Sequence, residues 1–349
     1  MAVLALTATV ETSTAPDAQA FATPYWYSQA HGEHEKVTRA GLACKDGQES
    51  DGSCFEPASM TQLAGERGLF GGVGRPDIPA WMVWPNTSEA SDPVAHCDEA
   101  DYISPEDNGG KVYPRSRQQA SEQLVKCLSH LRSRFHDAAQ GTEALFDEGT
   151  ATISRPQARM GCNDFASPGR QRTAKCRFID LFGRVLHGTE DFYSHSNWAD
   201  QADPDKPISA ANPPGLKRDD VFPLMYFRQP VPSWQDVPEK LATGCYPSDE
   251  CNEQGRTIRH DEELSKDRAI IDPVTGKVTL DNPTPRGAIL DNEQRAVTGA
   301  INEIRRQWRD MRAEIRARYG EDRGNTIICV MTHDEPVGNW PWTSGDCEK

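Results

Sequence analysis

An all-α fold, a helical bundle with long loops and one small β-hairpin, is what this sequence predicts. Three segments carry apolar residues at steps of three and four, the signature of helices with one buried face. Only 36% of the 349 residues are hydrophobic, and 27 Gly with 25 Pro imply long irregular connections around the helices. A single stretch, 270–280, reads as a hairpin, with Asp272-Pro273-Val274-Thr275-Gly276 between apolar residues.

In chain order, residues 1–20 are expected to be the remnant of a signal peptide: a short apolar run ends in Ala18-Gln19-Ala20, a cleavage pattern, without a basic start. The remainder, 21–349, is predicted to be one helical domain. A short helix is expected over 33–42. Loops follow at 45–57 and 65–114, dense in Gly, Asp, Ser and Pro. The first long helix is placed at 118–139, where Leu124, Cys127, Leu128, Leu131, Phe135 and Ala138 share a face. The second is placed at 178–193 on Phe178, Leu181, Phe182, Val185 and Leu186. A loop-rich excursion occupies about 199–286. The third long helix runs over 292–319 through Val297, Ile301, Ile304, Trp308, Met311 and Ile315, with an Arg/Glu-rich outer face.

A net charge of −15 argues against affinity built on spreading positive charge over nucleic-acid phosphates, so nucleic acid is not the expected partner. Acidic residues can still hold metal ions, whose charge inverts the local electrostatics. The ten cysteines lack a CxxC zinc-ribbon spacing and read as disulfides; the short separations 44/54, 162/176 and 245/251 suit local bridges. No later apolar run approaches the roughly twenty residues that span a bilayer. Secretion to the extracellular side is therefore the expected destination.

The chemistry concentrates in FGRVLHGTEDFYSHSNW, residues 182–198. His187 and Asp191 are one helical turn apart on one face and can close on one ion. His195 lies eight residues beyond His187, a rise of about 12 Å on a continuous helix, so either the helix breaks near Ser194 or His195 serves a second metal. Imidazole and carboxylate are the ligands zinc takes in sites open to water. His34, in HGEHEKVTRAGL, His96 and Asp98, in a loop HxD, Asp77, in GRPDIPAW, and His260, in HDEELSKD, are the further candidate ligands. His130 and His136 read as helix-surface or packed residues, and His31 and His333 lack a partner pattern. Trp81, Trp84, Tyr193 and Trp198 fit a pocket wall or the core equally well, and Asn197-Trp198 is expected to end the motif helix.

FGRVLHGTEDFYSHSNW resembles the signature of Het-C-like proteins, including the actinobacterial CinY group. HxxxD followed by a further His on a helix is also similar to the zinc-dependent phospholipase C and P1 nuclease superfamily. The resemblance implies an all-helical bundle of that type and one to three zinc ions that cleave phosphate esters. It implies His34 as the early helical ligand, Asp77 as the bridging and catalytic carboxylate and His96 as the loop ligand, with His187, Asp191 and His195 as the central motif. The downstream His would be His260; the carboxylate expected one turn later is replaced by Leu264, leaving Glu263 or Asp267. The N-terminal Trp of those enzymes is Phe21 here if cleavage follows Ala20. On this reading the chain acts on a phospholipid headgroup or small phosphoester, with peripheral membrane contact. The alternatives are a metal-stabilised interaction or toxin/incompatibility protein without strong catalysis, and a P1-like single-strand nuclease.

Overall fold

The computed structural model describes residues 31–66, 70–78, 89–162, 173–338 and 344–348. Among these, the helices are α1 (Glu33–Leu42), α2 (Pro57–Ala64), α3 (Arg117–Gly141), α4 (Arg155–Ala158), α5 (Ala174–His195), α6 (Ser248–Glu253), α7 (Asn292–Tyr319) and α8 (Glu321–Thr332). Strands β1 (Ala269–Ile271) and β2 (Val278–Leu280) lie between α6 and α7 and pair antiparallel, with Ala269 opposite Leu280 and Ile271 opposite Val278. The mostly helical class and the hairpin agree with expectation. The candidate leader, Phe21, Trp81 and Trp84 lie outside the described residues.

Helix α5 explains the architecture. Phe178, Ile179, Phe182, Val185, Leu186, Phe192 and Tyr193 point to more than one side of it; only Arg177, Asp180, Leu181 and Arg184 in its first half keep partial exposure, and from Val185 to His195 it is wholly buried. Helices α3 and α7 pack against it, and α1 and α8 pack against α7. Leu124, Leu128, Leu131 and Phe135 of α3 meet the Phe and Leu side chains of α5 and the α7 series Val297, Ile304, Trp308 and Met311 in one core. Trp308 is the hub: its ring lies 5.6 Å from Phe182 and 4.8 Å from Phe55, and its indole N–H donates to the Gly52 carbonyl at 3.1 Å. The centre of the core is thereby tied to the loop closed by Cys44–Cys54.

All ten cysteines are paired. Cys44–Cys54, Cys162–Cys176 and Cys245–Cys251 are the expected local bridges, and Cys97–Cys127 and Cys329–Cys347 complete the set. Such pairing belongs to an oxidising compartment, consistent with an extracellular protein. No helix among the described residues is long and apolar enough to cross a membrane.

Two glycines of α5 let loops reach it. A Cβ on Gly183 would lie 2.2 Å from the Gly72 carbonyl carbon, and one on Gly188 would lie 2.5 Å from the Ala95 oxygen. Loop 70–78, which carries Asp77, and loop 89–99, which carries His96 and Asp98, are thus seated directly on the helix backbone. Gly183→Ala gains up to about 1 kcal/mol of helix propensity, but the overlap with backbone forces the loop away. The expected net result is destabilisation by roughly 1–3 kcal/mol, read by thermal or urea unfolding.

Candidate metal centre

The wholly buried second half of α5 carries His187, Glu190, Asp191 and His195, all 0% exposed. Buried charges of this kind persist only if paired or bound to metal. The structure sorts the candidate residues into two groups: His34, Asp77, His96, His187 and Asp191 around one point, and Asp98, His195 and His260 around another.

In the first group Asp191 is shared. Its Oδ1 lies 3.2 Å from His34 Nε2, and its Oδ2 lies 2.9 Å from His187 Nε2 and 2.8 Å from His96 Nδ1. His187 Nε2 is also 3.0 Å from His96 Nδ1 and 3.5 Å from Asp77 Oδ1. Each ring is held from behind. His187 Nδ1 donates to the Val73 carbonyl at 2.9 Å, His96 Nε2 to the Glu89 carbonyl at 3.1 Å, and His34 Nδ1 to Glu190 Oε2 at 2.6 Å. With the outer nitrogen acting as donor, the inner nitrogen of each ring is left facing Asp191, free to take either a proton or a metal ion, the orientation that supporting hydrogen bonds give to metal-ligating histidines. The Thr38 hydroxyl donates to the other Glu190 oxygen at 2.7 Å, and Arg134 and Arg184 clamp the Glu89 carboxylate, so the supports are themselves fixed.

The second group stands two turns further along α5. The helix does not break near Ser194 but continues to His195. His195 Nδ1 lies 3.3 Å from Asp98 Oδ1, and His260 Nδ1 lies 3.0 Å from Asp98 Oδ2. Asp267 Oδ2 approaches the other nitrogen, His195 Nε2, at 3.4 Å and accepts from the hydroxyls of Ser194 and Ser265. Asp267 therefore backs His195 as Glu190 backs His34, whereas Glu263 pairs with Arg259. Both Asp98 oxygens and both His195 nitrogens are buried without a hydrogen bond of good geometry.

The spacing fits zinc. Ligand atoms about 2.0–2.1 Å from a tetrahedral ion stand about 3.3 Å from one another; the ligand pairs here are 2.8–3.5 Å apart. The electrostatics fit a cation as well. Burial pulls the His96 imidazole down, but the hydrogen bond and charge of Asp191 outweigh it and bring it up to about 9. His195 is likewise pulled down by burial and raised to about 10 overall by Asp98 and Asp267. Burial pushes Asp98 up, yet His260 and His195 hold it down at about 2, and Asp191 is held well below the usual carboxylate range by His187 and His34. The site demands positive charge, and protons supply it in the metal-free chain.

His130 lies 3.9 Å from Glu89, and His136 bonds the Phe227 carbonyl; both are outside the two groups. Tyr193 and Trp198 are core residues, the former bonded to Glu303. Asn197 does not cap the helix: it braces loops, donating to the Pro214 and Lys240 carbonyls and accepting from Ala242 N–H. Cys329, His333 and Cys347 also cluster, with both cysteines in a disulfide. The supports Glu190, Val73 and Glu89 escape sequence reasoning, two of them because they act through backbone carbonyls. Glu190 leaves only its place beside Asp191 as a signal. Comparison with known protein families, with characterised proteins and with solved structures finds no match for this chain.

Proposed function

We propose that this chain is an exported, zinc-dependent phosphoester hydrolase of Het-C-like type, akin to zinc phospholipase C. The observation that carries the reading is Asp191, one carboxylate with imidazole nitrogens against both oxygens. A carboxylate so placed suits two neighbouring ions, a hydrolytic pattern, rather than the single four-ligand cage of a structural zinc. His34 with Asp191 would hold one ion, and His96, His187, Asp77 and Asp191 the other; Asp98, His195 and His260 would hold a further one. Bound zinc would supply Lewis acidity there, lowering the pKa of water and offsetting phosphate charge. Asp77, on a loop rather than on α5, with Oδ1 3.5 Å from His187 Nε2, would bridge ions or orient the water nucleophile. Glu190, Val73 and Glu89 keep the imidazoles turned inward. The charge of −15 favours a phospholipid headgroup or small phosphoester over a long polyanion.

Zinc-replete protein is expected to release phosphocholine from phosphatidylcholine vesicles and p-nitrophenol from bis(p-nitrophenyl) phosphate, leaving single-stranded DNA uncut. Cleavage of the DNA alone would move the reading to a P1-like nuclease. Bound zinc with none of these activities would favour a metal-stabilised interaction or toxin protein. That second reading draws on burial: Asp77 and His96, the most exposed first-group ligands, are only 5% accessible.

A further inference from the structure

His96 and Asp98 belong to different groups, yet one residue separates them. That residue, Cys97, is fully buried and disulfide-bonded to Cys127 in the middle of α3. Its backbone is left-handed, with φ at 56°, and Glu99 follows at 71°. A non-glycine residue in that region is strained and persists only where its surroundings impose it. The conformation turns His96 toward Asp191 and Asp98 toward His195. On one side, the Ala95 carbonyl sits on Gly188 of α5. On the other, Glu99 N–H donates to the Gly244 carbonyl at 2.7 Å, while Gly244 N–H donates to the His195 carbonyl at 3.0 Å. Asp98 N–H closes back on Pro93 at 2.9 Å. The disulfide is the covalent anchor of this segment, fixing it to the helix that packs beside the one bearing His187, Asp191 and His195.

We propose that Cys97 and Cys127 are positioning residues for both metal centres, so that neither centre binds its metal tightly until the disulfide has formed. Two thiols lose two electrons and two protons to a disulfide oxidant, such as oxidised glutathione, and the S–S bond that forms locks His96 and Asp98 together. Both cysteines are inaccessible in the finished fold, so the gate acts as the chain folds and oxidises, not as a reversible switch afterwards. The chain would thus reach an oxidising compartment before it acquires its ions, the reducing cytosol keeping the thiols open. The inference rests on the metal reading above.

The test compares wild type with Cys97→Ala/Cys127→Ala and with Cys44→Ala/Cys54→Ala, whose bridge lies in the 44–55 loop and carries no ligand. Far-UV circular dichroism checks the fold, and Co2+ titration reads each centre through its absorption bands. Wild type and the 44/54 variant are expected to take up cobalt at both centres. The 97/127 variant should keep its helices while cobalt affinity falls at least tenfold at both centres together. Wild-type affinity in the helical 97/127 variant overturns the proposal, as does loss at one centre only. Should that variant fail to fold, Cys97→Gly/Cys127→Ala relieves the left-handed cost without restoring the bridge and is titrated in the same way: cobalt affinity lowered at both centres supports the proposal, wild-type affinity overturns it. Wild type that takes up no cobalt, and that elemental analysis finds free of zinc, would sink the metal reading itself, a different result from a metal-loaded 97/127 variant.

Discussion

Asp191→Asn is expected to empty the first centre and lower phosphodiester hydrolysis on the order of 10^3-fold, while the second centre keeps its metal. The magnitude follows from the Lewis acidity of zinc, worth several kcal/mol of transition-state stabilisation, with each 1.36 kcal/mol a factor of ten. Asp191 contacts three imidazoles through two oxygens. Asparagine offers one weaker oxygen and an NH2 that points donors at nitrogen lone pairs, so no single contact is lost alone. Asp98, His195 and His260 form a separate group at the end of α5, two turns beyond His187, with only His195 on the helix itself. Zinc content and kcat/KM measured on the same preparation check the result; a variant that binds metal and turns over like wild type would remove Asp191 from the centre.

Chelation has the second largest expected effect, and its size depends on pH. In the metal-free chain His96 and His195 are raised from 6.5 to about 9 and about 10. Burial, joined by the charge of Asp267, raises Glu33 to about 8 and Glu293 to about 9, from 4.5. Groups raised on folding contribute stability that is complete below their unfolded values and is lost as pH climbs through the folded ones. Metal-free protein should therefore weaken from about pH 4.5, through the two glutamates, and more steeply from about pH 6.5 to pH 10 as the two histidines join them. Zinc acts in the opposite sense, because its ligands must shed protons to bind it and loading tightens as pH rises. The gap in Tm between zinc-replete and chelated protein is expected to widen from pH 6 to pH 9. At free zinc a thousandfold above Kd the stabilisation is about 4 kcal/mol, which for a chain of 349 residues is about 5 °C. A gap that is absent, or narrows over this range, would contradict the assignment.

Where periodicity was strong, the sequence was enough. Expected limits of 33–42 and 292–319 coincide with α1 and α7, because Gly32 and Gly320 bound helices whose apolar spacing is unambiguous. The middle helices extend beyond the expected 118–139 and 178–193. Ser116 and Gln119 form a capping box ahead of the first apolar residue of α3, and α5 runs on through a polar stretch satisfied only by tertiary contacts. Helices α2 and α8 escaped notice. The first is two turns opened by a proline, and the second mixes polar residues with a mid-helix Gly324, so neither displays a clean stripe. Local disulfides were legible from separation; Cys97–Cys127 was not, since it joins a loop to a helix 30 residues away. The two-group division of the ligands was half legible. The 12 Å rise separates His195 from His187, but only the tertiary fold decides that Asp98 turns to one group and His96 to the other.

The most direct test is a crystal of protein purified without chelator, with anomalous data collected on both sides of the zinc edge. The account predicts zinc peaks beside Asp191, among His34, His96, His187 and Asp77, and a further peak among Asp98, His195 and His260. A folded, active protein with protonated imidazoles hydrogen-bonded to those carboxylates and no anomalous peak at either place would contradict it.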